Sequence, residues 1–130
     1  MKQEKLKAIY LEVSNNAKPV ITEIKDDLDT FYRLIKCSCI DIVSRKIGSE
    51  YFDIICDDEG LLIDNPTISA INEYGHPELV GNLIIVGQPD NLGNLQSLTE
   101  NQAKEILRNF CFCAVKKQDG LKYYHILRLN

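Results

Sequence analysis

Leu79-Val80-Gly81-Asn82-Leu83-Ile84-Ile85-Val86 is almost continuously apolar, with only Asn82 as a polar interruption. A short apolar run of this kind predicts a buried central strand, and Leu79 to Val86 is the natural centre of the sheet. Ahead of it stands an acidic turn, Asp57-Asp58-Glu59-Gly60. After it comes a helix start, Ser97-Leu98-Thr99-Glu100-Asn101-Gln102. Thr99 with Gln102 has the spacing of a capping box, in which the threonine hydroxyl and the glutamine amide each satisfy the other's backbone N–H, with Ser97 and Glu100 as the competing register. Ala103, Ile106 and Leu107 supply the apolar stripe of that helix.

Working outward, Leu6 to Val13 alternates, with Ile9, Leu11 and Val13 on one face. Ser14-Asn15-Asn16 is turn chemistry, and Pro19 to Ile24 completes a predicted hairpin, the proline standing where a missing N–H is tolerated. Asp26 and Asp27 offer a helix N-cap. Leu28, Phe31, Tyr32 and Ile35 repeat at helical spacing. Cys39 to Val43 and Tyr51 to Cys56 read as strands around Gly48-Ser49. Pro66 keeps Asn65 out of helical geometry, and Thr67 to Ile71 reads as one helical turn. Gln88 to Gln96, with Pro89, Gly93 and several amides, reads as a mobile loop. Phe110 to Val115 and Lys122 to Leu127 are two last strands joined by Gln118-Asp119-Gly120, in which Asp-Gly is a hairpin signal. The expected fold is α+β: one domain spanning 1–130, a mostly antiparallel sheet and two principal helices.

The 130 residues are 45% hydrophobic and 26% charged, the balance of an ordinary globular chain with a real core. No run approaches the ~20 apolar residues of a membrane span. Met1-Lys2-Gln3-Glu4-Lys5 leads into no apolar h-region, so no secretory signal is expected. The net charge of −4 argues against general nucleic-acid binding, which calls for a basic face. Five cysteines, an odd number, fit reduced thiols in a cytosol, and the expected location is cytoplasmic.

Cys37 and Cys39 form one C-x-C pair and Cys111 and Cys113 another. Two such pairs can build a tetrahedral zinc site, but structural zinc sites favour wider spacing, and cysteine is also a common buried apolar residue. No metal and no cofactor is expected. G-x-G-x-x-G, P-loop, H-E-x-x-H and G-x-S-x-G motifs are all missing from the sequence. Cys113 and His125, on neighbouring strands, form a candidate nucleophile and base without a third orienting group. Arg33, Lys36, Arg45 and Lys46 are a candidate phosphate patch. Tyr123 and Tyr124 beside Lys122, across from Phe110 and Phe112, suit either base stacking or a packed interface, and the interface is favoured.

The first hairpin, the short helix, Asp58-Glu59-Gly60, Pro66 to Ala70, Val80-Gly81-x-Leu83-x-Ile85-Val86-Gly87 and Ser97-Leu98-Thr99-x-x-Gln102 follow one another in order. With this set, residues 6 to 107 resemble a family of small domains common in phages, plasmids and conjugative elements of Gram-positive bacteria, DUF3846, which implies a host-cell cytosol as the setting. Family members often carry Asn-Arg where this chain has Ile68 and Ser69, and the C-terminal hairpin, 110–129, lies outside the shared pattern. The resemblance implies a mobile-element setting and supplies no catalytic residue.

The expected function is therefore a non-enzymatic binding protein, acting against a host defence component by occupying a host protein. The alternative is a binder that sequesters a nucleotide-like immune signal; a small enzyme is the third reading. The candidate ligand-binding residues are Asn65, Thr67, Ser69, Tyr74, Tyr124, His125 and Arg128. A homodimer is expected, formed by pairing the unpaired sheet edge of the C-terminal hairpin across a two-fold axis.

Overall fold

The computed structural model describes residues 5–14, 16–59 and 67–130. Among these residues nine strands and two helices run in the order β1 (Lys5–Leu11), β2 (Val20–Lys25), α1 (Leu28–Ile35), β3 (Ile40–Ile47), β4 (Glu50–Asp57), β5 (Ile68–Ile71), β6 (Pro77–Val80), β7 (Leu83–Val86), α2 (Glu100–Arg108), β8 (Phe110–Lys117) and β9 (Gly120–Arg128). They form two sheets, of order β2-β1-β7-β4-β3 and β6-β5-β9-β8. Every pairing is antiparallel except β5 with β9. The chain is thus an α+β body, mostly antiparallel, with two helices.

The run expected to be one central strand is two. Gly81 has φ +79°, a left-handed conformation that side-chain-bearing residues rarely adopt. Its kink sends Leu79-Val80 to the edge of the second sheet and Leu83–Val86 to the centre of the first. β7 is buried on both faces, between β1 and β4, which explains why its sequence shows no alternation.

Asn82 anchors this handover. It is 6% exposed. Its Oδ1 accepts from the Val13 N–H at 2.9 Å, and its Nδ2 donates to the Leu34 carbonyl at 2.9 Å. One amide therefore ties the end of β1 to the end of α1, as buried polar groups require.

The first sheet is the middle layer. On one face, Leu6, Ala8, Ile24, Ile55, Ile84 and Val86 pack on Phe31 and Ile35 of α1. On the other, Ile9, Leu11, Phe52, Ile54 and Ile85 pack on Ala103 and Ile106 of α2 and on Ala70, Leu79 and Leu127 of the second sheet. Both helices start where the caps predict. Asp27 Oδ1 accepts from the Thr30 N–H, and Thr99 and Gln102 form the reciprocal capping box. Leu28 and Tyr32, expected in the stripe of α1, are exposed; the eight-residue helix buries only Phe31 and Ile35 among its apolar residues.

One further expectation changes. Thr67 to Ile71 is no helical turn: Ile68–Ile71 is β5, held between β6 and β9. Ile, Ser, Ala and Ile lack a helical cap, and tertiary pairing decides their state. The loop from Gln88 to Gln96 is closed on itself. Asp90 Oδ1 accepts from the N–H groups of Leu92 and Asn94, both at 2.9 Å, and Gly87 bridges Gln96. These bonds hold the Asp90 carboxyl below the ordinary carboxylate range, Asn94 first.

Asn82→Ala should cost about 1–3 kcal/mol, because the Val13 N–H loses its acceptor in a half-buried place. Urea unfolding measures it; an unchanged midpoint would remove Asn82 from the role given to it.

Candidate functional site: the C-terminal hairpin

Strands β8 and β9 pair from Phe110↔Leu127 to Lys117↔Gly120, leaving the two-residue loop Gln118-Asp119. Gly120 at φ +116° takes up the turn that the Asp-Gly signal announced. The register sorts the side chains into two faces, since directly paired residues share a face and neighbours alternate.

Phe110, Phe112, Tyr123, His125 and Leu127 share the first face. Phe110 and Leu127 close the core. Toward the turn the same face opens to solvent: Phe112 is 55% exposed and Tyr123 38%. Their rings stack at 5.6 Å between centroids and 16° between planes, and His125 tilts against Phe112 at 4.8 Å. His125 Nδ1 lies 2.9 Å from the Ala17 carbonyl. A carbonyl only accepts, so Nδ1 carries the proton of this bond. The Asn16 N–H donates to the Tyr123 carbonyl at 2.8 Å, so the connection between β1 and β2 braces this part of β9.

Cys111, Cys113, Val115, Lys117, Tyr124, Ile126 and Arg128 share the second face. Lys117 Nζ stands 5.9 Å from the Tyr124 ring centre, a cation–π contact. A cavity of about 60 Å³ opens here among Thr67, Ile68, Val115, Lys117, Tyr124 and Ile126. Cys111 Sγ lies 3.5 Å from Cys113 Sγ and 3.4 Å from the Ile126 carbonyl. Burial, then the contact with Cys113, pushes the Cys111 thiol up.

The expected ligand-binding residues therefore do not meet in one place. Thr67 and Tyr124 line one cavity, and the register puts Arg128 on the same face of β9 as Tyr124. His125 points to the opposite face. Tyr74, 75% exposed, sits at the tip of the β5–β6 turn with its ring 6.2 Å from that of His76. Ser69 is buried in β5 with its hydroxyl unpartnered. Asn65 lies outside the described residues.

Register also separates the candidate nucleophile and base: Cys113 pairs with Tyr124, while His125 pairs with Phe112. The two C-x-C pairs lie apart as well. Cys37 and Cys39 precede β3 in the first sheet, and Cys111 and Cys113 are in the second. Among the described residues no three His, Cys, Asp or Glu side chains are grouped to hold a metal ion. Of the candidate phosphate patch, Arg45 pairs with Phe52 on the α2 side of the first sheet, whereas Arg33 rides on α1 across it; Lys36 is taken by Glu12 at 2.9 Å.

Sequence reasoning missed Asp53. It is 8% exposed in the middle of β4, and Gln88 Nε2 reaches its Oδ1 at 3.4 Å and Ser44 Oγ at 3.0 Å. Burial raises its carboxyl above the ordinary range. The available signal was a charge inside the apolar run Phe52-Asp53-Ile54-Ile55-Cys56. A raised folded value means that the folded state keeps a proton that the unfolded chain has already lost. Stability attributable to Asp53 is then full below the unfolded value, ~4, and declines as pH rises through the folded one. Asp53→Asn should therefore gain stability on the native protein between about pH 4 and pH 7. Urea titrations at both pH values check this; a variant that loses ground at pH 7 would contradict it. Cys56, 4% exposed with its thiol pushed up to about 12 by burial, should resist iodoacetamide at neutral pH while the exposed Cys39 reacts. Mass spectrometry of the labelled native protein reads both.

The profile of the family described as Domain of unknown function (DUF3846) matches residues 6–111. No curated protein and no solved structure matches the chain. The matched span carries β1 to β7, both helices and the first two residues of β8. Most of the hairpin, with all of β9, lies beyond it. With more than half of its length matched, including the whole central sheet, the chain belongs to the DUF3846 family.

Proposed function

We propose that this protein works by binding a protein partner, without catalysis, and that the first face of the C-terminal hairpin is the working surface. The observation that carries the reading is the exposed stack of Phe112 on Tyr123 beside His125. Exposed, mutually ordered aromatics supply contact area at low entropic cost and are enriched at interfaces. The separation of Cys113 from His125 by the register supports binding over nucleophilic catalysis. The mobile-element setting attached to the family resemblance makes a host defence component the first partner class to test, in the host cytosol.

The nucleotide-sequestering reading has its support in Lys117 over Tyr124. The cavity beside them is about 60 Å³, well short of the roughly 300 Å³ at which small-molecule sites begin. Clefts of about 380, 470 and 340 Å³ lie elsewhere, away from Lys117 and Tyr124, so the volume favours the protein-partner reading at the hairpin alone.

Phe112→Ser and Tyr123→Ser together should leave the unfolding midpoint within about 1 kcal/mol of the native value, since both rings are partly solvated. They should weaken capture of a host defence protein at least tenfold in a side-by-side binding titration. Calorimetry against a panel of cyclic and linear nucleotides is the second arm. Micromolar nucleotide binding that survives both substitutions would replace this reading with the alternative.

A further inference from the structure

Two sheets have four edges, and three of them are blunted. Strand β2 follows Pro19 and carries Glu23 and Lys25; β3 carries Asp41, Arg45 and Lys46; β6 is four residues long, begins with Pro77 and pairs with register shifts. Charges, proline, brevity and bulges are the usual protections against edge-to-edge association. Strand β8 has none of them over Phe110-Cys111-Phe112-Cys113-Ala114-Val115; its only charges are the terminal Lys116 and Lys117. Among the described residues no strand flanks its outer side.

The direction of its free groups follows from the ladder. The Arg128 N–H donates to the Asn109 carbonyl at 2.8 Å. Residues 109 and 128 are therefore a hydrogen-bonded pair. The alternation of an antiparallel ladder makes 111, 113, 115 and 117 the residues that bond β9. Phe110, Phe112, Ala114 and Lys116 then point their N–H and C=O groups outward. The same parity puts the Tyr123 carbonyl on the far side of β9, where Asn16 meets it.

We infer that a second copy of this chain pairs antiparallel with β8, centred on Cys113, so that two four-stranded sheets become one of eight strands. This register is the one that uses all four outward residues: Phe110 opposes Lys116 of the second copy, and Phe112 opposes Ala114. It lays the uncharged segment on itself and sends the two lysine pairs to opposite ends, so no like charges face each other. A parallel alignment would stack lysine on lysine. The two-fold pairing is also closed, since each edge satisfies the other. The inference rests on the edge and not on the aromatic face, so it stands or falls apart from the proposed function.

Centring on Cys113 has a chemical consequence. Cys113 meets its own counterpart as a non-hydrogen-bonded pair, with Cα atoms about 4.5 Å apart, inside the roughly 4.4–6.8 Å span of disulfides. Light scattering at micromolar concentration should give twice the 14.8 kDa of one chain. Ala114→Pro, which removes an outward N–H and leaves the bonds to β9 in place, should return the mass to one chain, and so should Ala114→Lys if the proline variant fails to fold. In a Cys39→Ser background, diamide should take two electrons and two protons from the paired Cys113 thiols and leave a covalent dimer on a non-reducing gel. Cys113→Ser should abolish that dimer. A native protein that scatters as one chain, a dimer that folded Ala114 variants leave intact, or a crosslink that persists without Cys113 would overturn the pairing.

Discussion

The structure depends on the handover at Gly81-Asn82. A continuous strand from Leu79 to Val86 would give a single sheet and leave the other apolar segments without a cover. The left-handed Gly81 turns the chain out of one sheet and into the other within two residues. Asn82 then supplies in its side chain the acceptor and donor that Val13 and Leu34 need. The fully buried Phe52, Ile54, Ile85, Ile106 and Leu127 come from both sheets and from α2, and each is worth roughly 1.5–3 kcal/mol by burial. They form one core only because the two sheets face each other.

Elements with local causes were legible in the sequence. The caps at Asp27 and Thr99 and the Asp-Gly turn are written in residues within four positions of one another, and the first hairpin in two neighbouring apolar segments around one turn. The two-sheet division was not, because Val80-Gly81-Asn82-Leu83 reads equally well as a strand with a polar interruption. Nor was the strand character of Ile68–Ile71, which pairs with β6 through register shifts and with β9 more than fifty residues away. The ligand-binding set failed for a related reason. Tyr124 and His125 are neighbours in sequence and therefore on opposite faces of a strand, so no single ligand on one face reaches both. Asp53 and Asn82 stood in plain view, but a polar residue in an apolar run acquires meaning only when its partners are known.

The hairpin has a double character. Leu127, Leu129 and Phe110 belong to the core that the family span builds, and the Leu129 N–H bonds the Ile71 carbonyl while the Asn130 N–H bonds the Lys46 carbonyl. The segment beyond the family match thus stitches the second sheet to the first. Its other end carries Phe112 and Tyr123 into solvent. The root of this surface is buried, and a surface ordered before association lowers its ordering cost.

The central claim is that this hairpin is an integral part of the fold and not an appended arm. Hydrogen–deuterium exchange read by NMR tests it directly, by comparing Ile126 in β9 with Ile54 in β4. The account predicts that both amides exchange only through global unfolding, with equal opening free energies. An Ile126 amide that opens at markedly lower free energy, with Ile54 still protected, would contradict it.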